Sequence, residues 1–141
     1  MIDSCEVLVH TCVDIRFEGH CRDWSRAQLG RFAHTHDHGV VQGILDNQGF
    51  RERLFYSWDL LIGKYGAKRL VLFPHGNGCA AYSARVKGMS IADELRFHTR
   101  QVEQAMIHIR SWRRKFPVEA YFAFRNGSPD HPVHFEQIQL S

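Results

Sequence analysis

Residues 5–17 alternate between two sides of the chain without a break. Cys5, Val7, Val9, Thr11, Val13, Ile15 and Phe17 fall on one side, and Glu6, Leu8, His10, Cys12, Asp14 and Arg16 on the other. A period of two over that length fits an extended strand, because a helix would scatter the same residues around its circumference. One side is apolar and the other mostly polar, which predicts a half-buried strand that ends at Gly19. Such a strand needs pairing partners and a layer to cover its apolar side, and the rest of the chain must supply both.

Two long amphipathic segments can form the layer. Asn47 can cap a helix whose Phe50, Leu54, Trp58, Leu61 and Tyr65 share one stripe, and Gly66 offers a left-handed stop. Ser90 and Asp93 form a capping-box-like start for a longer helix. Its seam runs along Ile91, Leu95, His98, Val102, Ala105, Ile109, Trp112 and Phe116, and Pro117 ends it. A shorter helix is predicted from Asp23 through Phe32. Further strands are predicted over 68–73, 79–86, 118–125 and 133–140. Pro74, Gly76, Asn77 and Gly78 separate the first two of these and read as a hairpin turn. Residues 34–45 fit a loop and a short strand equally.

Merging the two early helical segments into one crossover gives the order β-α-β-β-α-β, with an extra C-terminal strand. That order predicts an α+β fold of the ferredoxin-like split β-α-β plan, with helices on one face of a mostly antiparallel sheet. The other face would lie open, lined by His10, Asp14, Arg16, Ser83, Arg85, Tyr121 and His134. Residues 1–141 hold no linker, repeat or low-complexity tract, and one domain is expected. A hydrophobic fraction of 44% against 23% charged residues excludes a disordered chain. No apolar run nears the roughly 18 residues of a membrane span, so no membrane partner is expected. The first residues lack the pattern of a secretory leader, which makes the cytoplasm the expected compartment. Cys5, Cys12, Cys21 and Cys79 contain no C-x-x-C spacing, and four reduced thiols are expected.

Among the ten histidines, His34, His36 and His38 alternate. On a strand, His34 and His36 would share a face with about 6.7 Å between Cα atoms. Both imidazoles could then reach one zinc ion, as H-x-H pairs do in zinc enzymes. No other motif asks for a cofactor. His10 and His134, each in a strand pattern, are candidate catalytic residues for metal-free phosphodiester chemistry. The tetrapeptides they begin resemble the paired motifs of two-histidine phosphoesterases in the histidines alone, since neither has Ser or Thr two residues on. His34 and His36 followed by Tyr56 or Tyr65 are similar in order to the centre of replication-type nucleases. His98 lies on the apolar seam, where a neutral core histidine is expected. No G-x-S-x-G elbow, H-E-x-x-H helix or phosphate-binding loop appears.

A net charge of +3 argues little by itself, but its distribution is uneven. Arg96, Arg100, Arg110 and Arg114 fall on one flank of the longest predicted helix, able to grip phosphates or an acidic surface. These features predict a small non-enzymatic binding or regulatory protein. Its partner would be anionic, a nucleic acid or an acidic protein, and the open sheet face would suit a homodimer. Accessory proteins of phages and mobile elements are the analogy. The alternative is a small hydrolase, a phosphodiesterase or nuclease, metal-assisted at His34 and His36 or metal-free at His10 and His134.

Overall fold

Strands buried on both sides decide the architecture. The computed structural model describes residues 4–140. Strand β1 (Val7–Cys12) is buried at every position, and β3 (Arg69–Phe73) at all but its first. Strands covered on both faces belong in the middle of a parallel sheet, and these two are adjacent. The sheet has five strands in the order β2-β1-β3-β4-β5, with β2 at Phe32–Asp37, β4 at Val118–Arg125 and β5 at Val133–Ile138. The first four are parallel and β5 runs antiparallel to β4.

Helices form the crossovers that parallel pairing requires. Helix α1 (Glu18–Gln28) joins β1 to β2, and α2 (Gln42–Asp46) with α3 (Gln48–Tyr65) joins β2 to β3. A 3-10 turn (Ala80–Tyr82), α4 (Ser83–Val86) and α5 (Ile91–Trp112) join β3 to β4. Both longer helices start at their predicted caps and α3 stops at Gly66, but α5 ends at Trp112, a turn short of the predicted stop at Pro117. Asn47 accepts from the Phe50 N–H, Gly66 takes the left-handed conformation at φ 79°, and Ser90 accepts from the Asp93 N–H. One sheet face packs Val7, Val9, Val71 and Phe73 against Phe17 and Cys21, with Trp24 of α1 stacked on Phe135 at 4.9 Å. The opposite face packs Leu8, Leu70, Leu72 and Phe122 against Ile44, Trp58, Val102 and Ile109. Among the described residues no helix is long and apolar enough to cross a membrane.

The predicted ferredoxin-like α+β plan is therefore corrected to a doubly wound α/β plan with a mostly parallel sheet. Two local misreadings produced it. Residues 32–37 form a strand of their own, half-exposed because it lies at the sheet edge, so two crossovers stand where one was expected. Residues 80–86 are helical and not the second arm of a hairpin, with Tyr82 and Val86 buried one turn apart. The face expected to lie open is covered too: His10 of β1 packs against Trp58 of α3, and Tyr121 of β4 packs against Trp24 of α1.

Candidate metal centre

In a doubly wound sheet the ligand crevice opens at the carboxyl ends of the strands, where the strand order reverses. Here the order reverses between β1 and β3. Cys12 is the last residue of β1, and Thr11 pairs with Phe73, the last residue of β3. One residue beyond Pro74 stands His75, whose backbone continues the strand by bridging to Ala123 of β4. The next turn brings the chain back. Asn77 and Gly78 are both left-handed, at φ 59° and 78°, which reverses the direction and delivers Cys79 beside Cys12.

That turn is held from three directions. The buried carboxylate of Glu94, on α5, accepts from the Asn77 and Gly78 N–H groups at 3.0 Å each. The Asn77 side chain accepts from the Arg125 N–H at 2.7 Å and donates to its carbonyl at 2.9 Å. The Arg16 guanidinium donates to the Asn77 and Gly78 carbonyls at 3.1 and 2.7 Å. At Gly76 a Cβ would stand 2.7 Å from the Phe122 ring, so no side chain fits between the turn and the sheet.

The result is a buried triad of metal donors. Cys12, His75 and Cys79 are 4%, 1% and 1% exposed, and their donor atoms lie within 4.8 Å of one another. Among the described residues no other group of three or more His, Cys, Asp or Glu converges this closely. The His75 Nδ1–H donates to the Gly76 carbonyl at 2.8 Å, so Nε2 carries the lone pair. That nitrogen is buried and has no hydrogen-bond partner. Phe17 stacks on the imidazole at 4.5 Å and fixes its plane. The two sulfurs are 3.9 Å apart. Two thiolates on one tetrahedral zinc ion would stand about 3.8 Å apart given zinc–sulfur bonds near 2.3 Å. An orphaned imidazole nitrogen and two converging thiols at zinc spacing fit that ion, and soft sulfur with imidazole selects it over magnesium or calcium.

Electrostatics favour thiolate at this place. The Cys79 thiol, in contact with Cys12, and the nearby His75 imidazole draw Cys12 well below the usual thiol range. The charge formed there, together with burial, pushes Cys79 up, so the pair gives up its first proton readily and holds its second. The Gly39 N–H points at the Cys12 sulfur at 3.4 Å.

Beside the triad lies a carboxylate already committed to a partner. Asp14 Oδ2 is 3.6 Å from His75 Nε2 and 2.6 Å from Arg16 Nη2, while Oδ1 accepts from Arg16 Nε at 3.0 Å. This bidentate pairing, helped by the Arg16 N–H, lowers the Asp14 pKa below the usual carboxylate range.

The residues singled out in the sequence fall elsewhere. His34 and His36 share a face of β2 with rings 5.8 Å apart, but His34 Nε2 is hydrogen-bonded to Thr11 Oγ1 at 2.8 Å. His10 is fully buried on β1 and His134 is exposed on β5. Two strands lie between them, a separation of at least about 14 Å at the usual strand spacing. Arg96, Arg100 and Arg110 lie on the exposed surface of α5, Arg96 paired with Asp93, and Arg114 lies past the helix end. Cys12, His75 and Cys79 form no C-x-x-C or other contiguous metal motif, so their convergence is absent from the sequence expectations. The available signal was a donor at the end of each of two apolar runs, 7–12 and 69–75, with a second donor four residues after His75.

No family model and no curated protein matches this sequence. Solved structures do. The chain is similar to a β-carbonic anhydrase of the protozoan Trichomonas vaginalis, with TM-score 0.57 and 12% identity over 96% of this chain and 85% of that one. It is also similar to a tetrameric β-carbonic anhydrase of the ascomycete Sordaria macrospora, with TM-score 0.55 and 15% identity over 96% and 81%. A β-carbonic anhydrase of the fungal pathogen Aspergillus fumigatus gives TM-score 0.58 and 13% identity over 96% and 76%. At this identity the likeness shows a shared fold. The expectation of a non-enzymatic protein binding nucleic acid or an acidic surface is overturned, because the fold is one that enzymes use and a buried Cys/His/Cys donor set fills its ligand crevice.

Proposed function

We propose that this protein is a zinc enzyme that interconverts carbon dioxide and bicarbonate. The observation that carries the reading is the three-donor set of Cys12, His75 and Cys79 at the strand-order reversal, with an ionised carboxylate beside it. Catalytic zinc sites keep three protein ligands and leave the fourth position to water or substrate. When bound, zinc supplies a Lewis acid that makes water a usable nucleophile near neutral pH. The fold shared with carbonic anhydrases supports the choice of substrate.

The residues divide the remaining work. His75 Nε2 and the two sulfurs hold the ion, and the Gly76 carbonyl keeps the imidazole in the binding tautomer. Asp14 Oδ2, 3.6 Å from Nε2, would accept a hydrogen bond from a small molecule held beside the triad. Arg16 keeps that carboxylate ionised and ties it to the turn that carries Cys79. The burial of all three donors shields the ion from bulk water.

Purified protein should contain one zinc per chain by elemental analysis and should hydrate carbon dioxide in a stopped-flow pH-indicator assay. Chelation should abolish the activity and added zinc restore it. A zinc-loaded protein no faster than buffer would exclude this reading of the substrate.

A further inference from the structure

The segment after β2 holds a backbone conformation that its own sequence disfavours. Val40 has φ 69°, a region that β-branched residues enter only where the surroundings hold them. His10 supplies the hold. Its imidazole is fully buried on β1, and its Nε2–H donates to the Val40 carbonyl at 2.9 Å. Because a carbonyl only accepts, Nδ1 is the bare nitrogen, and it accepts from the Thr35 hydroxyl at 2.7 Å. Thr35 Oγ1 accepts in turn from the Trp58 indole N–H at 3.0 Å. One donor chain therefore runs from Trp58 through Thr35 and His10 to Val40. It leaves no ring nitrogen of His10 unsatisfied, and the Trp58 ring packs edge-on against the imidazole at 5.2 Å.

What the hold achieves is seen one residue earlier. Gly39, at φ 73°, directs its N–H at Cys12 Sγ at 3.4 Å. A Cβ at Gly39 would stand 2.8 Å from the Tyr82 ring and 2.9 Å from Ala81 Cβ, so the loop lies flush on the turn that follows Cys79. We propose that His10 is a positioning residue for the metal centre: by fixing Val40 it aims the Gly39 N–H at the Cys12 sulfur, which draws charge from that ligand and keeps the loop closed over the triad. A thiolate that receives an N–H donates less charge to its metal, so the metal stays the stronger Lewis acid. The inference rests on the metal-binding reading above.

Cobalt(II) loaded into the full chain gives a readout besides activity, because the thiolate-to-cobalt charge-transfer band moves with hydrogen bonding to sulfur. His10→Phe should fold, shift that band to lower energy and lose metal to a competing chelator about 10–100-fold more readily, the usual cost of an outer partner. His10→Gln, whose amide can both accept from Thr35 and donate to Val40, should restore the wild-type band and affinity. A folded His10→Phe with wild-type band and affinity overturns the inference alone. If His10→Phe does not fold, Thr35→Val is decisive: a band shift in the same direction supports the inference, and a wild-type spectrum overturns it. Wild-type protein that takes up no cobalt or zinc overturns the metal reading and this inference together.

Discussion

Two places in this molecule gather metal-donor side chains, and they are built differently. His34 and His36 meet through local geometry, as alternate residues of an edge strand. His36 is exposed to solvent, and His34 already spends Nε2 on Thr11 while Nδ1 lies 4.0 Å from Glu18. Cys12, His75 and Cys79 come from two strand ends and a turn, and they are buried. There the His75 Nε2 has no partner. A metal displaces water and hydrogen bonds at the first place, whereas at the second it meets an unsatisfied lone pair in a dry, fixed setting. Clustering in sequence measures how many donors are near. Affinity depends on how many are idle and held still.

The comparison breaks most sharply on ligand removal. Cys79→Ser or His75→Ala should weaken zinc binding more than about 100-fold, beyond the cost of losing an outer partner. The double change His34→Ala/His36→Ala should leave one zinc per chain, as read by elemental analysis and chelator competition. Zinc lost from the double variant but kept by Cys79→Ser and His75→Ala would place the ion on β2. Asp14→Asn should keep the zinc and lower the hydration rate by about 100-fold, the lower end of what a positioned acid or base contributes. Its pH profile adds a check. The Asp14 pKa is lowered, so the Asp14–Arg16 interaction should persist above the ordinary carboxylate range and fade as pH falls through the lowered value.

Glu94→Gln tests the turn. An amide in that position faces two backbone N–H groups with a single acceptor oxygen, and it should cost about 1–3 kcal/mol of stability in urea melts. Zinc affinity should fall roughly tenfold. The smallest effect on the metal centre is expected at His98, whose two ring nitrogens are buried without partners among Tyr82, Phe97 and Phe122. Burial lowers its pKa to about 4. Because the folded value is depressed, stability is full above pH 6.5 and is lost as pH falls toward 4. His98→Met should gain about 1 kcal/mol at pH 8 and about 2 kcal/mol more at pH 5, with zinc content unchanged.

The helices that line the far side of the sheet were legible because their signals are local. Asn47, Gly66 and Ser90 act within one turn of where they stand, and the stripe through Leu54 and Trp58 needs no partner to be seen. Strand pairing is not local. The polar alternation of residues 32–37 marks an exposed edge, which is hard to tell from a loop, and the short run 80–86 satisfies both the strand and the helix period. Once β2 was missed, the order of strands followed wrongly, and with it the place where that order reverses. The site was illegible for the same reason. Cys12 and His75 are neighbours only because β1 pairs with β3 across α1, β2, α2 and α3.

That separation also fixes when the chain can acquire its ion. A growing or refolding chain that has formed its helices but not the β1–β3 ladder offers at most His75 and Cys79, which are four residues apart, and Cys12 joins them only after a long loop closes. Parallel pairing across such loops is slow. Metal capture should therefore lag behind helix formation and keep pace with the last steps of sheet assembly. In a refolding experiment, zinc uptake would time the completion of the fold.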